Sequence, residues 1–269
     1  MATSADRTPS AVDLTGEVEV LGRVADSSNH AVIARVSTLP GGHVIYKPIR
    51  GERPLWDFPD GTLAGREVAA HVVSELGGWC VVPPTVLRDG PLGPGSVQLW
   101  IGDPFDPVSD DVVVDLVPEG HTPEGWHEVL DGETPGGRAV TVVHSGADDV
   151  RSLAVLDAAL NNSDRKGSHC LRDRDRRLWA IDHGVTFSPT PKLRTVLWGW
   201  AGERLAGVDR ARLERLRSAL ADDTDRARLL ELLPEPDVEA LALRVQRLLE
   251  RGVHPYPSHD WPSVPWPPL

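Results

Sequence analysis

Cysteine is scarce in this chain. Only Cys80 and Cys170 occur among 269 residues, so no disulfide framework is implied, and no CxxC or Cys/His cluster suggests zinc. Basic residues are in deficit. The 28 Lys and Arg face 40 Asp and Glu, for a net charge of −12. That balance argues against non-specific binding to nucleic acid or to an anionic membrane surface, although it leaves room for a local basic pocket. Long apolar runs are missing as well. None approaches the roughly 20 residues needed to span a bilayer, and the opening MATSADRTPS lacks the apolar core of a signal peptide. A cytoplasmic protein is the expectation.

What is present has the size of one domain or two lobes and enough length to bury a sizeable core. Residues 1–14 read as a polar leader. Alternation at Val18, Val20 and Val24, at Val32, Ala34 and Val36, and at Val44 and Tyr46 predicts three strands. The turn Asp26-Ser27-Ser28-Asn29-His30 is small and rich in hydrogen-bonding groups, so it suits either a phosphate-covering loop or an ordinary hairpin. Lys47 ends the third strand between Tyr46 and Pro48. A helix follows over Thr62 to Leu76, with Ala69, Val72, Val73 and Leu76 as its apolar stripe and Gly77-Gly78 as its stop. Glu67 falls opposite that stripe, either solvated or turned toward Lys47. Two further strands are expected at Thr85–Arg88 and Ser96–Ile101, the second leading into a hinge.

From Gly102 to about Ala147 only VVVDLV reads as regular structure, and the change in composition suits a lobe boundary. A helix is predicted from Asp148 or Asp149 to Leu160, delivering Asn161, Asn162 and Asp164 at its end. Then comes the stretch on which the chain is organised, NNSDRKGSHCLRDRDRRLWAIDHGVTF. Cys170–Arg172 and Leu178–Ile181 form a hairpin around a charged turn. The hairpin brings Asp164 and Asp182 to one edge, with Arg165 and Gly184 beside them. Paired carboxylates there suit phosphoryl transfer, one orienting or deprotonating a hydroxyl and the other holding a metal that bridges phosphates. The spacing fits the D-x-x-x-x-N…D-x-G arrangement of kinase loops, with His169 where Asn is usual. Lys192 and Arg194 follow where an acceptor would lie. Helices are expected at Asp209–Leu220, capped by Asp209, and at Asp237–Leu249, with a shorter one between. The tail HPYPSHDWPSVPWPPL cannot be helical, because proline recurs too often.

Taken in order, VIYKP, REVAAHVVSELG, VPPTVL, GSVQLWI, NNSDRKGSH, AIDHGVTF and LWGWAG resemble the phosphatidylinositol 3-/4-kinase-like superfamily. The likeness is strongest to the type II phosphatidylinositol 4-kinases and their actinobacterial relatives. The resemblance implies an α+β, two-lobed protein-kinase-like fold, with residues 15–102 as the N-lobe, 103–250 as the C-lobe and 251–269 as a Pro/Trp-rich tail. It also implies ATP and Mg2+, or Mn2+, and transfer of the γ-phosphoryl group to a hydroxyl. Lys47 would bind the phosphates, assisted by Glu67, and Asp164 with Arg165 would be catalytic. Asp182 and His169 would hold metal, Ser28 and Asn29 would cover the nucleotide, and Gln98, Leu99, Trp100 and Ile101 would form the hinge. The cysteine-rich palmitoylated insertion of the eukaryotic lipid kinases is absent, and the loop after Asp182 is short and weakly basic. HipA-like serine/threonine kinases share the broad pattern. The acceptor is therefore open between lipid headgroup, protein and metabolite. A nucleotide-binding pseudokinase is the alternative, and the tail is a candidate docking arm for a partner protein.

Overall fold

The computed structural model describes residues 12–24, 30–59, 61–105 and 111–269. Ser28 and Asn29 lie outside the described residues. Five strands form the first sheet: β1 (Val18–Arg23), β2 (Val32–Val36), β3 (Val44–Pro48), β4 (Thr85–Gly90) and β5 (Gly93–Leu99). They are antiparallel, in the order β1-β2-β3-β5-β4. Period-two alternation splits this sheet into two faces. Val32, Ala34, Val36, Val44, Tyr46 and Val97 cluster on one face and are covered by Leu14. Leu14 is buried, so packing begins inside the stretch expected as a leader. Lys47 is offset by one residue from Tyr46 and therefore stands on the opposite face.

Helix α1 (Leu63–Gly77) runs against that opposite face. Its start is fixed twice: Thr62 Oγ1 accepts from Gly65 N, and the Glu52 carboxylate accepts from Leu63 N and Ala64 N at 3.0 and 2.8 Å. Gly78, left-handed at φ 77°, ends it. Ala69, Val72 and Val73 of α1 belong to the large core shared with α2 (Asp148–Leu160), α3 (Gly207–Leu220) and α5 (Glu235–Arg251). Each such fully buried Val or Leu contributes about 1.5–3 kcal/mol. By its packing α1 is therefore part of the helical half as much as of the sheet. Arg66 strengthens that tie, pairing with Asp237 of α5 at 2.6 Å and donating to the Thr186 carbonyl at 2.7 Å.

The chain between 102 and 147 holds more order than its sequence suggests. Strands β6 (Val114–Pro118), β7 (Trp126–Glu133) and β8 (Ala139–Ser145) form a second sheet in the order β6-β8-β7. Strand β7 carries a bulge between Glu128 and Leu130 and exposes much of both faces, which hides its alternation. After α2 comes the short hairpin β9 (Cys170–Arg172) and β10 (Leu178–Ala180). Asp173 closes its turn by accepting from Asp175 N and Arg177 N, each at 3.0 Å.

Helix α3 begins two residues before the expected cap. Ala206 stands at the cap position, while Asp209 lies inside the first turn and accepts from Ser152 Oγ of α2. A burial of Asp209 against α2, not a capping role, explains that acid. Helix α4 (Asp223–Leu230) is the shorter connector, and α5 starts at Glu235 because Pro234 and Pro236 are tolerated in a first turn. Among the described residues no helix is long and apolar enough to cross a membrane.

Candidate active site

Helix α2 is buried along nearly its whole length and ends at Asn161, a left-handed cap at φ 52°. The loop that follows is held by its own polar side chains. Asn161 Nδ2 donates to the carbonyls of Ser188 and Thr190, each at 2.8 Å, and its Oδ1 accepts from Lys192 N. Asn162 Nδ2 donates to Asp157 Oδ1 at 3.0 Å, and its Oδ1 accepts from Asp164 N at 3.0 Å. Asp164 is thereby turned outward, with its carboxylate 29% exposed and 3.2 Å from Lys166 Nζ.

Arg165 points the other way. Its guanidinium is fully buried, pairs with the equally buried Asp157, and donates to the Ile181 carbonyl at 2.9 Å and to His183 Nε2 at 2.7 Å. It cannot touch a substrate. The residue read beside Asp164 as catalytic is a brace between the loop at 162–169 and the loop at 181–184. Burial and the Arg165 charge hold His183 well below the usual histidine range, so it is neutral and accepts the guanidinium N–H.

Asp182 adopts a left-handed backbone at φ 60°, uncommon for a non-glycine residue and costing about 1–3 kcal/mol. The conformation presents its carboxylate to Lys47 and His169 together. Lys47 Nζ lies 2.7 Å from Asp182 Oδ1 and is also bonded to Glu67 Oε1. Glu67, 2% exposed despite its place off the apolar stripe, uses its second oxygen to accept from His183 N at 2.9 Å. One lysine from β3 thus gathers a carboxylate of α1 and a carboxylate of the loop after β10. Lys47 opposes its burial with these two charges, and its ammonium is held above the ordinary range. The Lys47 charge drives Asp182 well below the usual carboxylate range.

His169 joins the two loops. Its Nδ1 faces the Asp164 carbonyl at 3.0 Å and must carry the proton there, since a carbonyl only accepts. Its Nε2 stands 3.3 Å from Asp182 Oδ2. Burial lowers the His169 pKa, which favours a neutral ring whose Nε2 lone pair faces the Asp182 carboxylate. Two ligand atoms at about 2.1 Å from one ion at a right angle would stand about 3 Å apart, so this pair has suitable spacing. Among the described residues no three His, Cys, Asp or Glu side chains form a metal cage. A hard cation bound by one or two protein groups, with phosphate oxygens and water completing its shell, matches such a donor set.

The hinge residues divide by role. Gln98 is buried and donates to Thr85 Oγ1 at 2.8 Å. The N–H groups of Leu99 and Trp100 are taken by the carbonyls of Pro84 and His43, each at 2.9 Å. Lys192, expected near an acceptor, is 6% exposed and bound to Asp57 Oδ2 at 3.0 Å. Two residues escaped the sequence reading. Asp157 is a lone acid in the apolar run LAVLDAAL, a pattern that marks a buried, paired charge. Lys166 follows Asp164 by two positions and carries the cation nearest its carboxylate.

No known protein-family model matches the chain. The chain is 41% identical over 263 residues to Protein Rv2133c of Mycobacterium tuberculosis, covering 96% of this chain and 94% of that protein. It belongs to that protein's family. Among solved structures, that of hydra Fam20 with sugar shares the fold at a TM-score of 0.50 and 13% identity, covering 89% of this chain and 86% of that one. The Helicobacter pylori proinflammatory kinase CtkA aligns at a TM-score of 0.45 and 11% identity, over 89% of this chain and 93% of that one. The fold is α+β and kinase-like, an N-terminal antiparallel sheet followed by a mainly helical half.

Proposed function

We propose that this protein is an ATP-dependent phosphotransferase that moves the γ-phosphoryl group to a hydroxyl acceptor. The observation that carries the proposal is the junction of Lys47, Glu67 and Asp182, in which three separate segments bring one cation and two carboxylates together. Lys47 would neutralise phosphate oxygens, with Glu67 fixing its ammonium. Asp182 Oδ2 and His169 Nε2 would hold Mg2+ or Mn2+, which on binding supplies charge neutralisation at the phosphates. Asp164, open to solvent and backed by Lys166, would orient the acceptor hydroxyl and receive its proton. Arg165 would act only through position, keeping the Asp164 and Asp182 loops in register. An adenine edge would meet the carbonyls of Leu99 to Ile101 and the Ile101 N–H, because the two preceding N–H groups are taken.

The motif order supports a phosphatidylinositol 3-/4-kinase-like activity, with a lipid headgroup, a protein Ser or Thr, or a metabolite as acceptor. The alternative, nucleotide binding without turnover, is favoured by His169 in the place of Asn. Incubating the protein with γ-labelled ATP, Mg2+ or Mn2+, and separate lipid, protein and metabolite extracts tests both. Label on one acceptor, lost in Asp182→Asn, supports the enzyme. ATP binding with no labelled product supports the alternative.

A further inference from the structure

The segment 252–269 holds prolines at 255, 257, 262, 265, 267 and 268. Such a chain has few N–H groups to donate, so it binds neighbours mainly through carbonyls and rings. Four of its carbonyls, those of Gly252, His254, Ser263 and Pro268, accept from the helical half of the molecule, the last two of them from the loops around the candidate catalytic residues. The Ser263 carbonyl accepts from Thr195 N at 3.0 Å and from Trp198 Nε1 at 2.9 Å. The Pro268 carbonyl accepts from Gly167 N at 2.8 Å. Gly167 sits between Lys166 and His169, and a Cβ there would come within 2.6 Å of Leu269 and 2.9 Å of Val114. Thr195 is itself bridged to Arg165. The segment is therefore laid directly over the loop that carries Asp164, Lys166 and His169.

A second contact locks it there. Lys192 Nζ lies 3.0 Å from Asp57 Oδ2 and 3.1 Å from the Asp57 carbonyl. Its ammonium also sits 4.9 Å from the Phe58 ring, 5.5 Å from Trp56 and 5.8 Å from Trp261. A largely desolvated cation beside the buried Phe58 ring, with Trp261 near it and the 82% exposed Trp56 at the rim, is a cation–π setting. The rings come from separate parts of the chain, Trp56 and Phe58 from the loop before α1 and Trp261 from the Pro-rich segment. That loop also carries Glu52, which caps α1, and α1 supplies Glu67.

We propose that segment 252–269 is a positioning element of the catalytic loop, held in place by Lys192 in a box of Trp56, Phe58 and Trp261. The consequence for rate rests on the kinase reading, whereas the contact itself does not. The segment acts on the orientation of Asp164 and His169 through Gly167 and Thr195. Among the described residues Lys47 pairs with Glu67 and Asp182 and not with this segment, so phosphoryl transfer responds to the segment more than nucleotide affinity does.

The test uses the full chain with Trp261→Ala, Trp261→Phe, Lys192→Met and Lys192→Arg. Three quantities are read: amide hydrogen exchange at Gly167 and Thr195, kcat, and the Kd of a non-hydrolysable ATP analogue. Trp261→Ala and Lys192→Met are expected to speed exchange at both amides by about tenfold or more. They are expected to lower kcat by a similar factor while the analogue Kd moves less than about twofold. Trp261→Phe and Lys192→Arg, which keep a ring and a cation, should restore most of both. Unchanged exchange at Gly167 and Thr195 overturns the proposal, as does faster exchange with wild-type kcat at a temperature where the variant is folded. A wild type that transfers phosphate to no acceptor removes the kinase reading, and the exchange rates still decide whether the segment holds the loop.

Discussion

The carboxylate of Asp157 and the guanidinium of Arg165 face each other in the interior at 2.9 Å, both side chains at 0% exposure. Asp157 belongs to α2 and Arg165 to the loop after it, so the pair decides how that loop leaves the helix. Asp157 also accepts from Asn162 Nδ2, and Arg165 reaches on to the Ile181 carbonyl and His183. One ion pair therefore sets the register of both loops that carry the candidate catalytic groups.

Removing one partner should leave an uncompensated charge in the core. Asp157→Ala is expected to destabilise the fold by about 3–5 kcal/mol. Asp157→Leu combined with Arg165→Leu should lose less stability than either change alone, because no buried charge is left unpaired. Urea unfolding of the two single variants and the double variant checks this. A double variant less stable than both singles would mean that the pair itself, and not its desolvation, dominates.

At the Lys47–Asp182 junction the expected pattern is the reverse, with chemistry lost and fold kept. The Asp182 side chain is 48% exposed, so Asp182→Asn should unfold at nearly the wild-type temperature. On the proposed reading, in which Asp182 holds the metal, its loss should lower the rate by about three orders of magnitude. Lys47→Met should weaken ATP turnover strongly and Glu67→Gln less, since the amide can still accept from His183 N. Measured turnover of Asp182→Asn within a few-fold of wild type would remove Asp182 from the reaction.

Much of this architecture is legible in the chain because its signals are local. Alternation at Val32, Ala34 and Val36 marks β2, and Gly77-Gly78 after an apolar stripe ends α1. The motif order singles out Lys47, Glu67 and Asp182, and the structure joins these three through two ion pairs. What stayed hidden depends on contacts distant in sequence. Arg165 looks like a companion of Asp164, but its direction is set by Asp157, a residue whose burial shows only in the packed helix. Lys192 looks placed for an acceptor in sequence, and only the fold shows it buried against Asp57 and Phe58 with Trp261 near. Strand β7 carries polar residues on both faces and a bulge, so no period-two signal survives. Asp209 looks like a helix cap, yet its partner is Ser152 of another helix.

Acid should destabilise the fold through its buried neutral histidines, His144 and His254 among them. His144 Nε2 accepts from Gly199 N at 3.0 Å, and its Nδ1–H donates to the Ser145 carbonyl at 3.0 Å. Both nitrogens are thus committed to the neutral ring. Burial lowers the pKa of His144 to about 4 and that of His254 to about 4. Unfolding frees both to bind protons near their ordinary value, about 6.5. The unfolded chain then holds more protons between pH 6.5 and 4, so stability falls as pH drops through that window, and the share due to these two histidines levels off below it. The expected loss is about 2 kcal/mol per histidine by pH 5. Unfolding free energies from pH 7 to 4 for wild type and His144→Gln give the measurement. An identical pH slope in the two proteins would remove His144 as the source.

The identity of residue 169 should set which ion the site prefers. Because Nδ1–H of His169 is spent on the Asp164 carbonyl at 3.0 Å, the nitrogen left facing Asp182 Oδ2 at 3.3 Å is Nε2. An imidazole nitrogen suits Mn2+ better than Mg2+, which favours oxygen ligands. His169→Asn replaces that nitrogen with an amide oxygen and should lower the ratio of Mn2+ to Mg2+ affinity in the presence of an ATP analogue. His169→Ala removes the ligand and the tie to Asp164 together, so it should weaken both ions. Calorimetric titration of each ion into the three proteins reads this without any turnover. The same measurement separates a metal role from a packing role, because a ring that merely fills space beside Cys170 leaves the affinity ratio alike in wild type, His169→Asn and His169→Ala. Equal ratios across the three would leave Asp182 as the metal-binding side chain and His169 as a spacer between the two loops.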